Sequence, residues 1–171
     1  VQTGQLSDIG EALTTNVKDS YRMGVELTAG WAPLSWMSLE GNASLSKNKI
    51  KDFDEYVESW DESENYVHKN HYSNSTLSYS PSAILNGFID FHHKGFTATW
   101  HTNFVSKQYI DNSESDVRSL PCYSQSDLQL SYTSDVTKAA GIKNVTLGLD
   151  FNNVFSRHYA ASGSTWYGWY T

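Results

Sequence analysis

Several groups of side chains in this sequence have the types that could do chemistry, and each lacks the spacing for it. His68 and His71 stand three apart in a polar stretch without a regular period, so they could share a metal only on a locally folded loop. His92 and His93 are adjacent, and neighbouring residues of a strand point to opposite faces. Cys122, His101 and Asp127 are the types of a nucleophile, a base and an orienting acid, yet no motif places them together. The carboxylates Asp52, Asp54, Glu55, Glu58, Asp61, Glu62 and Glu64 read as a solvated loop or, more sharply, as a rim that attracts cations. The glycines form no phosphate-cradling pattern. No metal, no cofactor and no catalytic set is expected, and a hydrolytic enzyme has no supporting constellation.

Composition narrows the class further. The 171 residues carry a formal charge of -7, and the clustered Lys and Arg that a nucleic-acid surface needs are absent, so no nucleic-acid partner is expected. Hydrophobic residues make up 39% and the mean hydropathy is -0.52, with no run of roughly twenty apolar residues that could form a spanning helix. Cys122 is the only cysteine, which excludes an internal disulfide. The start, Val1-Gln2-Thr3-Gly4, has no basic region followed by an apolar stretch, so either the chain is cytosolic or its beginning has been removed.

The elements that must position these residues are strands. From Tyr21 to Trp31, Tyr21, Met23, Val25, Leu27, Ala29 and Trp31 alternate with Arg22, Gly24, Glu26, Thr28 and Gly30, over the length a tilted strand needs to cross a hydrocarbon layer. After a loop from Gly4 to Asp19, strands are expected at Ser20 to Ala32 and Trp36 to Asn48, with a large loop from Lys49 to about Tyr72. Ser73 to Phe91 is strand-like with a blurred phase, and Pro81 predicts an irregularity within it. Further strands are expected at Phe96 to Tyr109, Tyr123 to Thr133 and Asn144 to Phe155. Connections are short after Ala32, Phe91 and Thr133 and long after Asn48, Tyr109 and Phe155, so all long loops fall at one end. Aromatics near strand ends (Tyr21, Trp31, Trp36, Phe91, Phe96, Tyr109, Tyr123, Phe155) suit an interfacial girdle or the corners of a sandwich core. The fold expected is all-β, with antiparallel up-and-down strands forming part of a transmembrane β-barrel of about six to seven strands.

Thr15-Asn16-Val17, the run Ser20 to Leu27, Asp90 to Phe96 and, most specifically, Gly148-Leu149-Asp150-Phe151-Asn152-Asn153-Val154-Phe155-Ser156-Arg157-His158-Tyr159 resemble the C-terminal barrel portion of TonB-dependent outer-membrane receptors, particularly those of Bacteroides-like bacteria. The resemblance spans almost the whole chain. It implies a plugged barrel of about twenty-two strands, of which this chain supplies about six and the beginning of a seventh near Trp166 to Thr171, without the plug, the energy-coupling motif or the terminal strand. The whole of residues 1–171 is thus expected to be a partial receptor barrel in the outer membrane of a Gram-negative cell. Implied partners are outer-membrane lipid, a small nutrient ligand such as an iron chelate, haem, vitamin or glycan, and a TonB-type energy-coupling protein acting through the plug region. Transport of this kind needs no catalytic residue. Tyr66, His68, His71, Tyr109, Arg157, His158, Tyr159 and Trp166, on long loops or their edges, are the candidates for ligand contact.

A second class of reading is a soluble all-β module that binds carbohydrate through Trp60, Trp166 and Trp169. The two differ in what lies behind the apolar stripes: lipid in the first, a second sheet packed about 10 Å away in the other.

Overall fold

The structure, a computed structural model, describes residues 2–6, 12–14, 17, 19–61, 64–135 and 144–163. Period-two alternation gives strands almost everywhere: β1 (Gln2–Leu6), β2 (Ala12–Thr14), β3 (Ser20–Leu34), β4 (Met37–Asp61), β5 (Glu64–Thr76), β6 (Ala83–His93), β7 (Phe96–Val105) and β8 (Gln108–Tyr109). A 3-10 turn, Asp116–Arg118, follows, and then β9 (Ser119–Leu120), β10 (Tyr123–Asp135) and β11 (Asn144–Phe151). One antiparallel up-and-down sheet runs β11-β10-β7-β6-β4-β3, with β5 beside the far half of β4. It is not closed: β3 and β11 are its edges among the described residues.

Cross-strand register aligns the apolar positions into rows. Trp31 pairs with Leu39, Leu39 with Ile89, Ile89 with Trp100, Trp100 with Leu128 and Leu128 with Phe151, a line across the whole sheet. No described element covers this face: Leu27 is 59% exposed and Leu147 71%. The chain exposes 12573 Å², against about 8,500 Å² for a compact monomer of its 19.3 kDa mass. The buried apolar residues among those described are only Ile50, Phe53, Val105 and Leu120, and they cluster toward the long-loop end rather than behind the apolar face. Hydroxyls on the apolar face satisfy one another: Trp100 Nε1 donates to Thr102 Oγ1 at 2.9 Å, and Thr102 shares a 2.9 Å bond with Ser126 Oγ.

At the short-turn end the β6–β7 hairpin closes through Lys94 (φ 48°) and Gly95 (φ 83°), successive positive-φ residues that set the strand twist in a two-residue loop. Trp36 stacks on Phe91 there with ring centroids 5.9 Å apart. The girdle expectation fails at Tyr123, which lies on the polar side of β10 in phase with Gln125 and Asp127.

The expected large loop from Lys49 to Tyr72 is a correction. Both of its sides are strand, because β4 continues to Asp61 and pairs with β5 from Lys49↔Thr76 to Asp61↔Glu64. Alternation survives over residues 52–56, with carboxylates on both sides: Phe53 and Glu55 are buried, while Asp52 is exposed and Asp54 and Tyr56 are half-buried. The resulting ribbon rises about 35 Å past Ile50. The irregularity expected at Pro81 is present. Four positions on β4 separate Leu45 from Lys49, while their partners Ala83 and Thr76 are seven apart, so Leu77–Ser82 inserts three extra residues. Three is odd, and the facing phase inverts across the insertion. The loop expected from Gly4 to Asp19 is strand in its described parts 4–6 and 12–14, where β1 and β2 pair antiparallel with Leu6 opposite Ala12.

Candidate functional site

Opposite the apolar face, the same register builds a polar one. Thr28, Asn42, Asn86, Asn103 and Gln125 form one row across β3, β4, β6, β7 and β10. Its amides are chained: Asn103 Nδ2 donates to Asn86 Oδ1 and Asn86 Nδ2 to Asn42 Oδ1, each at 2.9 Å. In the next row the His101 ring stacks on Phe88 at 4.4 Å, with Nε2 3.3 Å from Asn86 Oδ1 and Nδ1 3.6 Å from Asp127 Oδ2. Thr99 donates to Asp90 at 2.6 Å one row further.

Asp127 ties this face to the turn after β11. Its Oδ1 accepts from Gln125 Nε2 at 3.0 Å and from the Asn153 backbone N–H at 2.8 Å. Asn153 holds a positive φ of 52°, and its side chain clamps Arg157, accepting from the backbone N–H at 2.9 Å and donating to the carbonyl at 3.0 Å. Phe155 packs edge-on against Trp100 on the apolar side. Asn153, the last residue of the aspartate-aromatic-asparagine-asparagine run, is therefore a turn lock. It delivers Tyr159 onto the polar face, stacked on Tyr123 at 4.3 Å with its hydroxyl donating to Gln125 Oε1 at 2.6 Å.

Above the sheet, the loop between β7 and β10 braces the ribbon. Glu114 accepts from Lys49 Nζ and from Thr76 Oγ1, and Asn112 Oδ1 accepts from the Ser78 N–H at 2.9 Å. Burial pushes the Glu114 carboxyl up, but the bonds from Lys49 and Thr76 outweigh it and hold the group below its ordinary value. Glu55, 3% exposed, accepts from the Tyr72 hydroxyl at 3.0 Å. Burial, then the Glu55 charge, pushes the Tyr72 phenol up to about 12. On the other side of the ribbon, His71 lies 2.9 Å from Asp54 and 3.3 Å from Asp52, and Lys69 pairs with Asp54 at 2.8 Å. The Lys69 bond, and after it the His71 bond, lowers the Asp54 carboxyl.

The candidate ligand residues separate accordingly. His71 is on strand β5, not on a loop, and is engaged by two aspartates; Tyr66 and His68 also fall on β5. Tyr109 is in the short β8–β9 ladder with Lys107 Nζ 4.8 Å over its ring. Arg157 and His158 are exposed after the Asn153 turn, and Tyr159 alone of the set joins the polar network. Trp166 lies outside the described residues, as do Trp169 and the seventh strand expected near Trp166 to Thr171. His101 and Asp127 do meet, but Cys122 precedes Asp127 by five residues of nearly extended chain, about 17 Å, so the three make no nucleophile set. Among the described residues no group of three or more His, Cys, Asp or Glu side chains could hold a metal ion. The residues that sequence reasoning missed are the amides: Asn42, Asn86, Asn103 and Gln125 each occupy a polar-phase position, and only the register shows that they form one row.

No protein-family model matches this chain, and no curated protein does.

Proposed function

We propose that this chain is barrel wall and outer-vestibule structure of a TonB-dependent outer-membrane receptor that takes up a small nutrient by energised transport. The observation that carries this reading is the pair of opposed rows: an uncovered apolar line from Trp31 to Phe151 on one face and an amide line from Asn42 to Gln125 on the other. The apolar stripe from Tyr21 to Trp31 is about 33 Å along the strand and about 25 Å tall at a tilt of roughly 40°, the height of an outer-membrane apolar band. Short turns at one end and a ribbon with braced loops at the other match periplasmic and external ends. In this reading the open edges of β3 and β11 meet further barrel strands. The ligand, an iron chelate, haem, vitamin or glycan, passes over the amide face, and a TonB-type protein supplies energy through a plug region rather than through any catalytic residue here.

The test uses single spin labels on a Cys122→Ser background in outer-membrane vesicles. Labels at Leu27 and Leu147 are expected to meet dissolved oxygen from lipid, and labels at Thr28 and Asn42 a water-soluble nickel chelate. A chain that purifies without detergent, with Leu27 and Leu147 buried against another sheet, would favour the carbohydrate-binding module instead.

A further inference from the structure

The Tyr123–Tyr159 pair has the construction of an occupied binding slot. Tyr123 supplies a flat apolar plane, and the second ring lies 4.3 Å away at 8°, nearly parallel. Gln125 supplies one acceptor at the ring's edge, and the amide cannot readily turn, because its Nε2 is committed to Asp127, which the Asn153 N–H holds in turn. An acceptor fixed by its neighbours in this way selects a donor on the ring it faces. Tyr159 meets both demands with its phenol, yet it remains 40% exposed. Beyond it the chain crosses to the Leu77–Ser82 insertion, where the Tyr79 hydroxyl donates to the Gly163 carbonyl. Gly163 lies against Ile110 and Leu120: a Cβ there would come within 2.9 Å of Ile110 Cδ1, the tip of that side chain. Between these two hydroxyl anchors Ala160, Ala161 and Ser162 are exposed, as are Arg157 and His158 ahead of the first.

We propose that residues 157–163 are a strap that fills, through Tyr159, a ring-binding slot made by Tyr123 and Gln125, and that a ligand presenting a flat hydroxylated ring enters by displacing it. Ring and hydroxyl are both required, because the slot offers one stacking plane and one acceptor. Past the Asn153 clamp on Arg157, the strap is held by one stack and two hydroxyl bonds; it competes with such a ligand and lowers its apparent affinity by the fraction of time the slot is filled. That its release uncovers a transport path rests on the receptor reading above; the slot itself rests on the geometry alone.

The probe is 4-methylphenol, the tyrosine side chain as a free molecule, titrated against the full chain by saturation-transfer NMR. Tyr159→Ala is expected to bind it at least about tenfold more tightly than the unaltered chain, and adding Tyr123→Ala is expected to abolish the gain. Toluene, which lacks the hydroxyl, and cyclohexanol, which lacks the flat ring, gain less. Equal binding by Tyr159→Ala and the unaltered chain, with the strand signal in circular dichroism retained, overturns the slot. Should Tyr159→Ala fail to fold, Tyr79→Phe removes only the distal anchor: a rise in 4-methylphenol affinity supports the strap, and an unchanged affinity overturns it. These readouts do not depend on lipid contact at Leu27, so a failure of the strap and a failure of the receptor reading give different results.

Discussion

Lys49 and Glu114, 65 residues apart in sequence, form an ion pair that fastens the loop after β7 to the foot of the ribbon. Glu114→Gln is expected to cost about 1–2 kcal/mol, the range for a partly buried charge-assisted bond, and to speed proteolysis within residues 110–118. Because the folded Glu114 carboxyl is held below the ordinary 4.5, its contribution is present above that pH and is lost as pH falls through the folded value. A denaturation midpoint that ignores both the substitution and acidification below pH 4.5 would remove the brace.

Alkaline titration tests a second contact, inside the ribbon itself, between Tyr72 and Glu55. Tyr72 keeps its proton to about 12, against an ordinary 10.0. Its raised value favours the fold while the phenol is neutral, so this contribution is complete below pH 10 and falls between pH 10 and about 12. Tyr72→Phe is expected to delete the highest-pH step from the phenolate absorbance curve and to reduce the stability loss in that interval.

A charge on the apolar face separates lipid from water. Leu27 is already 59% exposed, so in water Leu27→Arg would change stability by no more than about 0.5 kcal/mol. In the proposed barrel it sits midway along the Met23–Trp31 stripe and is expected to cost about 2–4 kcal/mol, while Thr28→Arg next to it on the polar face stays near neutral. Folding titrations into phospholipid vesicles compare the pair.

The β6–β7 turn gives a test of the hairpin. Gly95 stands at φ +83° with the Thr133 carbonyl oxygen 2.3 Å from where a Cβ would be. Gly95→Ala is expected to destabilise by about 1–3 kcal/mol. Lys94→Asn, which suits the φ of 48° already adopted there, is expected to stabilise by a few tenths of a kcal/mol, read from thermal midpoints.

Much of the sheet was legible because alternation is a local signal: β3 and β10 lie close to their expected bounds, and β7 and β11 begin where expected but end four residues early, at Val105 and Phe151. The ribbon was not, since its buried positions include Glu55, a carboxylate that Tyr72 satisfies from the partner strand. Charge in the sequence read as loop, and only pairing shows that it is strand. The blurred phase between Ser73 and Phe91 has a physical cause in the three-residue insertion, which places Tyr72 and Leu85 on opposite parities yet on one side of the sheet. Of the site, Tyr159 was legible as a loop aromatic. Tyr123 and Gln125 were not, because Tyr123 resembled any strand-end ring and Gln125 any polar neighbour until Tyr159 was seen to rest on both.

The insertion at Leu77–Ser82 also uncouples two polarity codes. Below it, apolar side chains gather on one face of the sheet, with exceptions such as Phe88 and Tyr123; above it, the β5 side of the ribbon runs in the opposite phase. Natural recombination or a laboratory graft that cuts at Asn48 and Leu77 can therefore exchange the upper hairpin as a cassette without reversing which side of the wall is greasy.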